Sequence, residues 1–294
     1  MINNITAIFV FIDDFLRIYQ KSEVKKMIKD KNRRHREGKM TLAEMMTIMI
    51  CFHFSDFRTF KHYYIYYIGV QYRHLFPNLI SYNRFVEIMP KLLIPTTIMI
   101  HILKGQKTGV YFIDSTKLEI CHKKRTSSHK VFKGIAEIGK SSYGWFLGFK
   151  LHMVINHIGQ IISIKITKGN VDDRVPVLDL AKDLIGKMYA DKGYIKHNLF
   201  LNLYKKGLKF IYGIRGNMKN CLMLITDKIL LRKRSLIESS FNILKNRMNL
   251  EHTRHRSPIN FLVNIVSCLV AYQFKTTGYH LSKIKGSEVE MIGA

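Results

Sequence analysis

Apolar residues repeat at helical spacing through the first third of the chain. One predicted helix carries its apolar side chains at positions i, i+3, i+4, i+7 and i+8, namely Leu42, Met45, Met46, Met49 and Ile50. Thr41 and Glu44 have the spacing of a capping box at the start of this helix, and a further helix is predicted from Ser81 to about Pro90. Residues 1–105 are therefore predicted to form an all-α domain.

The pattern changes at Gly109, where apolar runs of β-strand length and composition begin. The strand segments are "GVYFID", "GWFLGFKLHMVI", "QIISIKIT", "KMYAD" and "LKFIYGI". Helices are predicted near 173–185, near 195–206 and after Asp227. Three strands followed by alternating helices and strands is the order of a ribonuclease-H-like α/β layer, so we predict such a domain, a mixed sheet flanked by helices, over residues 106–274. The last residues, 275–294, lack apolar periodicity and are predicted to be a flexible tail.

A basic segment late in this domain, "LLRKRSLIESSFNILKNR", contains a single acid, Glu238. At about 100° per residue, the apolar residues here share one narrow helix face: Ile237, Phe241, Leu244 and Met248. A polar stripe runs beside that face: Arg234, Glu238, Asn242 and Lys245. The stripe lies at the edge of the buried face, where side chains of both signs can point into a cleft. The alternative is a solvated Arg-Glu pair at i,i+4 on a helix surface, which contributes only about 0.2–0.5 kcal/mol.

The charge of the chain points to a polyanionic partner. Lys and Arg number 48 against 21 Asp and Glu, a formal net charge of +27 over 294 residues, and such a surplus favours nucleic acid over a membrane. The four cysteines include no C-x-x-C pair, which argues against a zinc ribbon and against a disulfide framework. The longest apolar run, residues 261–274, is too short to span a bilayer and contains Asn264 and Ser267. We therefore expect a soluble intracellular protein.

Two aspartates stand at the ends of predicted strands. Asp114 closes "VYFID" and Asp191 closes "KMYAD". Carboxyl ends of neighbouring strands in an open α/β sheet face one crevice, and a helix laid across that edge could bring Glu238 to both. Three converging carboxylates repel one another unless a cation lies between them, and hard oxygen ligands suit Mg²⁺ or Mn²⁺. Arg234 and Lys245 would then flank the metal and hold an anionic substrate.

Structural roles remain open for the same acids. A strand-end aspartate commonly caps a turn, and Asp191 precedes the turn-forming pair Lys192-Gly193. Asp172 and Asp173 in "GNVDDR" compete with Asp191 for the second carboxylate position, but they are predicted to cap the N-terminus of a helix. Several histidines lack metal-ligand spacing among themselves: His122, His129, His152 and His252.

Basic residues cluster near the predicted site and in the helical segment. Residues 117–133 contain six of them against one acid, Glu119: Lys117, Lys123, Lys124, Arg125, Lys130 and Lys133. Four more follow the Glu238 helix: His252, Arg254, His255 and Arg256. In "FRTFKHYYIYY", three residues are predicted to share one helix face: Arg58, Lys61 and His62. Phosphate contacts position a duplex without reading its sequence, so residues 1–105 are predicted to bind DNA, with a plain helical scaffold as the alternative.

Short segments spread over most of the chain match one known pattern. They are "IDST", "GNVDDR", "ADKGY", the "RKRSLIESSFNILKN" helix with "EHTRHRS" after it, and "FRTFKHYY" and "SYNRFVE" in the helical part. Together they resemble bacterial insertion-sequence transposases of the DDE group, specifically the family named after insertion sequence 982. The spacing of Arg234, Glu238 and Lys245 also resembles the Y-R-E-K signature of the related insertion-sequence 4 group, with Leu231 in place of the tyrosine.

The resemblance implies a reaction and its site. It maps the catalytic triad onto Asp114, Asp191 and Glu238, which would hold Mg²⁺ or Mn²⁺, two ions in such enzymes. The implied reaction is phosphoryl transfer without a covalent enzyme intermediate, first cleavage of the element's ends and then strand transfer into target DNA. Implied partners are double-stranded DNA, both inverted repeats and target, and further copies of the chain in a homo-oligomer. The implied location is the bacterial cytoplasm with the nucleoid, and no membrane partner is expected.

Two other interpretations stay open at this point. One is a ribonuclease-H-like nuclease or resolvase that cuts DNA without strand transfer. The other is a catalytically inactive remnant of the element that binds DNA only. All three triad positions are acidic, which counts against the remnant.

Overall fold

The structure is a computed structural model that describes residues 5–21, 38–141, 144–213, 222–251 and 255–277. The chain divides into two compact units. The sheet unit consists of residues 104–243, and the helical unit combines residues 1–103 with residues 244–294.

The elements of both units are numbered in chain order. The α-helices are α1 (Ile5–Lys21), α2 (Leu42–Phe52), α3 (Phe60–His62), α4 (Tyr82–Ile88), α5 (Leu93–Ile102), α6 (Val177–Leu180), α7 (His197–Lys205), α8 (Ile225–Arg232), α9 (Ser235–Asn242) and α10 (Pro258–Thr277). The strands are β1 (Val110–Glu119), β2 (Glu137–Ser141), β3 (Gly144–Asn156), β4 (Ile161–Lys168), β5 (Gly186–Ala190) and β6 (Leu208–Tyr212). Helices α3 and α9 continue as the π-helices Tyr63–Gln71 and Ile243–Arg247. Short 3-10 turns lie at Arg73–Leu75, Met89–Leu92, Lys123–Arg125 and Lys192–Tyr194.

Helix α10 is the core of the helical unit. It packs against α2 and α5, and nearly all of its residues from Asn260 to Phe274 are buried. Two buried polar side chains bind backbone carbonyls across this core. Gln273 Nε2 donates to Leu103 O at 2.5 Å, and His53 Nδ1 lies 2.7 Å from Met248 O. Since buried polar groups are costly when unpaired, these bonds help fix the register between α10 and its neighbours.

Local signals in the N-terminal part of the helical unit are confirmed. Thr41 Oγ1 accepts from Glu44 N at 3.1 Å, and Glu44 Oε2 accepts from Thr41 N at 2.6 Å, which is the predicted capping box of α2. Helix α4 begins after the N-cap Ser81 and ends at Ile88, and Pro90 lies in the 3-10 turn that follows. The regular elements described before residue 104 are all helical.

One predicted helix face is wrong in part. Thr59 is the N-cap of α3 and accepts from His62 N. Arg58 therefore precedes the helix instead of sharing a face with Lys61 and His62. All three side chains are exposed.

Two segments are long and apolar enough to cross a membrane by length and hydropathy alone. They are Tyr82–Ile102, which the turn at Met89–Leu92 interrupts, and α10. Helix α10 is longer than the apolar run 261–274 noted in the sequence. Of its apolar window, 78% is buried inside the unit. Helices α2 and α5 thus cover this surface, as expected for a core helix.

The sheet unit contains a mixed sheet, which confirms the α/β class. Within the described residues it has six strands in the order β2-β3-β1-β5-β6, with β4 also paired to β3. Strand β3 is antiparallel to β1, β2 and β4, whereas β1, β5 and β6 are parallel. The predicted turn between β3 and β4 contains Gly159, whose φ of 87° lies in the left-handed region that glycine favours.

Helices α6 and α7 cover one face of this sheet. The buried cluster on that face includes Tyr111, Ile113, Val154, Val177, Leu180, Met188, Tyr194, Leu199, Leu203 and Phe210. Because side chains alternate along a strand, Asp114 points to the opposite face from Ile113. Helix α9 packs against β1.

Asp114 does not close its strand as predicted. Strand β1 continues to Glu119, because it pairs with the long antiparallel strand β3 from Tyr111 onward. Its parallel pairing with β5 covers only Val110 to Phe112. Asp114 therefore lies just beyond the carboxyl end of the parallel part of β1, and Asp191 directly follows β5 at the same edge.

The predicted helix over 173–185 is mostly absent, and the capping roles given to Asp172 and Asp173 are wrong. Only α6 is helical there, and its N-cap is Pro176. Asp172 Oδ1 accepts from Arg174 N at 2.9 Å, and its carboxylate also binds the Arg174 guanidinium. These bonds close a local turn and hold the pKa of Asp172 below its usual range. Asp173 instead accepts from Lys150 Nζ at 3.0 Å.

The end of the sheet unit differs from the predicted domain boundary at 274. The predicted apolar face is confirmed, since four residues are buried: Ile237, Phe241, Leu244 and Met248. However, α8 and α9 are separate helices that meet at Lys233 and Arg234. The sheet unit ends at residue 243, because the apolar surface of α10 is buried in the helical unit. Of the predicted tail, residues 275–277 form the last turn of α10 and the rest lies outside the described residues.

Candidate active site

Asp191 is presented to solvent by a tight turn after β5. Tyr194 N donates to Asp191 O at 3.0 Å, and the Tyr194 side chain is buried in the cluster under α6 and α7. Asp191 occupies the N-cap position of the 3-10 turn Lys192–Tyr194, but its side chain makes no capping hydrogen bond among the described contacts. The carboxylate is exposed. The turn is thus held by its backbone and by the buried tyrosine, and the Asp191 carboxylate remains available for chemistry.

Arg234 connects the other two candidate acids. Its Nη1 donates to Asp114 Oδ2 at 3.2 Å, and its Nη2 donates to Glu238 Oε1 one helical turn away. The side chains of Arg234 and Asp114 are 19% and 23% exposed, whereas that of Glu238 is 54% exposed. Within the predicted stripe at the edge of the buried face, Arg234 therefore points toward β1. The surface-pair alternative is incomplete, because Arg234 also reaches a strand residue.

The electrostatics of Asp114 tie the three acids together. Its pKa is raised to about 6, chiefly because the carboxyl group is buried. A hydrogen bond from Ser115 N at 2.8 Å and the charge of Arg234 lower the pKa, whereas the charges of Asp191 and Glu238 raise it. Asp114 therefore lies within range of the charges of both other carboxylates.

These acids match a hard divalent cation in chemistry but not in their present spacing. Carboxylate oxygens are the ligands that Mg²⁺ and Mn²⁺ prefer. Within the described part of the chain, no three His, Cys, Asp or Glu side chains lie close enough together to hold an ion. The Arg234 guanidinium currently supplies the positive charge beside Asp114 and Glu238. A bound ion would have to take over part of that role.

A buried carboxylate that no local sequence pattern indicates, Asp227, fixes α8 on the sheet. Asp227 is 2% exposed and accepts from Lys187 Nζ at 2.6 Å and from the Tyr189 hydroxyl at 2.8 Å, with Lys209 Nζ at 3.6 Å. Burial raises the pKa of Asp227, but the bonds from Lys187 and Tyr189 outweigh it and the net pKa is lowered. Because α8 leads directly into Arg234, this anchor helps to position the site.

The basic residues predicted to bind DNA are divided between the two units. In the sheet unit, four are exposed: Lys124, Arg125, Lys130 and Lys133. Lys117 Nζ pairs with Glu119 at 2.8 Å. The side chain of Lys123 and the whole of Arg254 lie outside the described residues.

The remaining residues predicted to bind DNA belong to the helical unit, except Arg234, which belongs to the sheet unit. Lys245 Nζ donates to Glu251 Oε1 at 2.9 Å. Three others line one cavity of the helical unit: Arg58, Lys61 and Arg256. The sequence did not predict this cavity, although its two asparagines on α10, Asn260 and Asn264, stand one turn apart in a largely apolar helix.

Comparisons with known proteins identify the family of this chain and a structure of similar fold. A family model described as "Transposase DDE domain" matches residues 104–258, just over half of the chain, which includes the whole sheet unit. The cryo-EM structure of a piggyBac transposase synaptic complex with hairpin DNA is similar with a TM-score of 0.50 and 9% sequence identity. The similarity covers 98% of this chain and 78% of that chain, and at such low identity it concerns the fold alone. No curated protein sequence matches this chain.

Proposed function

Because the chain belongs to the family of transposase DDE domains, we propose that it is an insertion-sequence transposase that cuts the ends of its element and joins them to target DNA. We further infer that it belongs to the insertion sequence 982 group of bacterial elements and that its sheet unit has the ribonuclease-H-like fold. The strand order supports the fold, since an antiparallel group of strands is followed by the parallel strands β5 and β6.

One observation carries the proposal. Asp114 and Asp191 lie at the same edge of the sheet, and Arg234 brings Glu238 from α9 to Asp114. A buried carboxyl group whose pKa is raised by burial and by two neighbouring acids is typical of a functional site. A purely structural carboxylate in this position would gain nothing from acidic neighbours.

In this proposal Asp114, Asp191 and Glu238 hold Mg²⁺ or Mn²⁺. A bound divalent ion would activate the attacking water or 3′-hydroxyl and stabilise the leaving oxygen. The backbone of β1 and the turn after β5 fix two of the acids on the sheet, whereas α9 brings the third. Arg234, once released from a carboxylate, offers a planar guanidinium that pairs bidentately with a phosphate.

The surplus of positive charge supports double-stranded DNA as the partner. The exposed lysines and arginine near β2 give the sheet unit phosphate contacts that do not depend on sequence: Lys124, Arg125, Lys130 and Lys133. Cutting two ends of one element favours at least a dimer on DNA. A place in the bacterial cytoplasm, with the nucleoid, follows from this partner.

The test is a cleavage and joining assay on the purified full chain with Mg²⁺ and labelled DNA that carries the ends of the element. The parent should give nicked and joined products. Asp114→Asn, Asp191→Asn and Glu238→Gln each keep the shape of the side chain and remove one negative charge, so both products should disappear while DNA binding survives.

Asp179→Asn is the matched control. Asp179 lies in α6 of the same unit, where its exposed carboxylate binds Lys165 away from the three acids, so this variant should keep full activity. Nicked products without joined ones would show a nuclease or resolvase instead. Tight DNA binding without either product, in the parent itself, would show an inactive remnant.

A further inference from the structure

The helical unit contains a cavity of about 830 Å³ that is lined by residues of α3, α4 and α10, among others. We propose that it accepts an unpaired nucleotide of the DNA substrate, with the phosphate at its basic rim and the base in its interior. The choice of DNA as the source of that nucleotide rests on the proposed function. The volume lies within the about 300–1,000 Å³ that is usual for ligand cavities.

The rim of the cavity carries positive charge. Arg58, Lys61 and Arg256 line it with exposed side chains, and none of the described lining residues is acidic. His255 also lines it, but burial lowers its pKa to about 4, so this ring is neutral at physiological pH. Three cations without a counter-carboxylate favour an anion such as a phosphate.

The walls of the cavity are apolar and aromatic. Phe60 and Tyr82 are half-buried lining residues whose ring centroids lie 6.2 Å apart. Burial raises the pKa of Tyr82, and the positive charge of Arg256 offsets part of that rise. Arg256 therefore lies near this aromatic wall. A positive rim beside aromatic rings is the combination that single-stranded nucleic acid recognises, because bases stack on the rings while the backbone follows the charge.

Buried amide groups at the cavity lack partners. Asn260 Nδ2 donates to Val86 O at 3.1 Å, but Asn260 Oδ1 is buried without a hydrogen-bond partner among the described residues. Asn264 Nδ2 is buried and unpaired in the same sense. The two side chains are 7% and 1% exposed, line the cavity and lie one turn apart on α10.

An unpaired acceptor and an unpaired donor on one wall suit the edge of a base. Each buried polar group without a partner is unfavourable, and such groups in native structures call for an explanation. Asparagine amides bind base edges through paired donor and acceptor contacts. A simple inorganic anion would satisfy the rim but would leave the aromatic walls and the asparagines unused.

The test measures binding of the full chain to labelled DNA in the presence of a chelator, so that cleavage does not interfere. The probe is a duplex with a short single-stranded extension, compared with the same duplex whose extension consists of abasic sites. The parent should bind the base-bearing extension at least about fivefold more tightly, the lower end of what base stacking on an aromatic ring contributes.

Two variants and two matched controls identify the cavity as the cause. Asn264→Leu keeps the branched shape and the number of heavy atoms of the side chain and should abolish the preference for bases, while its melting temperature stays equal or rises because a buried unpaired amide nitrogen is removed. Ser267→Ala is its control, since Ser267 is a buried, unpaired polar residue of the same helix outside the cavity. Lys61→Gln should weaken the binding of both probes. Lys91 is an exposed lysine outside the cavity, so Lys91→Gln should weaken their binding less.

Equal binding of base-bearing and abasic extensions by the parent would overturn the inference. An unchanged preference in well-folded Asn264→Leu would do the same, as would full displacement of the extension by inorganic phosphate alone. Protein that cuts and joins DNA without a preference for bases contradicts only this inference. Protein that shows the preference without cutting contradicts only the proposed function.

Discussion

Arg234 and Asp114, 120 positions apart in the chain, are joined by a hydrogen-bonded ion pair of 3.2 Å. The same guanidinium holds Glu238. One positive charge therefore compensates two carboxylates that would otherwise repel each other near a partly buried strand. This arrangement makes Arg234 the residue whose removal most directly exposes the acidic character of the site.

Arg234→Gln is expected to destabilise the metal-free protein by about 1–3 kcal/mol, the usual loss when charge-assisted hydrogen bonds are removed. A divalent cation should restore stability in the variant more than in the parent, because it supplies the missing positive charge without displacing a guanidinium. Thermal unfolding with a chelator and then with added Mn²⁺ measures both effects.

Arg17→Gln is a suitable control for that experiment. Arg17 forms an i,i+4 ion pair with Asp13 at 2.8 Å on the exposed side of α1, with a side chain 73% exposed. Surface pairs of this kind contribute only about 0–1 kcal/mol. An equal response of Arg17→Gln and Arg234→Gln to Mn²⁺ would contradict the prediction.

Asp227→Ala should destabilise the sheet unit through its interior. The fully buried Tyr189 hydroxyl would lose its acceptor, and Lys187 would lose its partner. The expected loss is about 1–3 kcal/mol, seen as faster hydrogen exchange in β5 and α8. Asp227→Asn retains an acceptor oxygen and should recover part of the loss, and a result in which both variants behave alike would refute the role given to the tyrosine.

His53 should make the helical unit sensitive to mild acid. Burial lowers the pKa of its imidazole from 6.5 to about 4. The unfolded chain therefore takes up a proton near pH 6.5 that the folded chain refuses, so stability is complete above pH 6.5 and is lost as the pH falls toward 4. From pH 7 to pH 5 the loss from this residue is about 1–2 kcal/mol.

The measurement is the thermal midpoint at both pH values. His53→Gln should show a smaller drop between pH 7 and pH 5 than the parent. His74→Gln, which changes an exposed histidine of the same unit, should show the parent's drop. Identical slopes for all three proteins would exclude His53 as a source of acid sensitivity.

DNA binding should weaken steeply with salt. Each neutralised phosphate adds about −0.9 to the slope of log affinity against log salt on duplex DNA. Replacing Lys124 and Lys130 by Gln should make that slope shallower by roughly one unit for each phosphate that is no longer neutralised. A flat response in the parent, measured by titration over a range of salt concentrations, would rule out an interface dominated by phosphates.

Local patterns in the sequence are sufficient to predict most helices, strands and turns. The capping box at Thr41 and Glu44 and the apolar face that includes Ile237 and Phe241 depend on residues within two helical turns. The same holds for the turn at Gly159, where a left-handed φ favours glycine. These features appear in the structure because near neighbours decide them.

Features that depend on distant residues could not be predicted. Nothing local indicates that the helix after Asp227 breaks at Lys233, since basic residues have good helix propensity. The ion pair of Arg234 with Asp114 and the packing of α10 on α2 and α5 link residues that are far apart in sequence. The strand containing Asp114 was predicted too short, because its extension depends on pairing with β3.

The predicted DNA-binding role of residues 1–105 is better tested by point substitutions than by deletion of the segment. Residues 1–103 share their core with α10. Deleting residues 1–105 would strip the partners from an apolar helix and would report misfolding instead of recognition. Point substitutions on the exposed surface, such as Lys61→Gln, avoid that difficulty.

The discontinuous composition of the helical unit also sets an order of events during translation. Helices α1 to α5 leave the ribosome first, but α10 is synthesised only after the entire sheet unit, residues 104–243. The sheet unit holds all the described strands and the three candidate acids in one continuous stretch, so it can fold while the chain is still growing. A chain truncated after residue 243 would thus carry the acids on the described sheet, while helices α1 to α5 would still lack the helix they fold around.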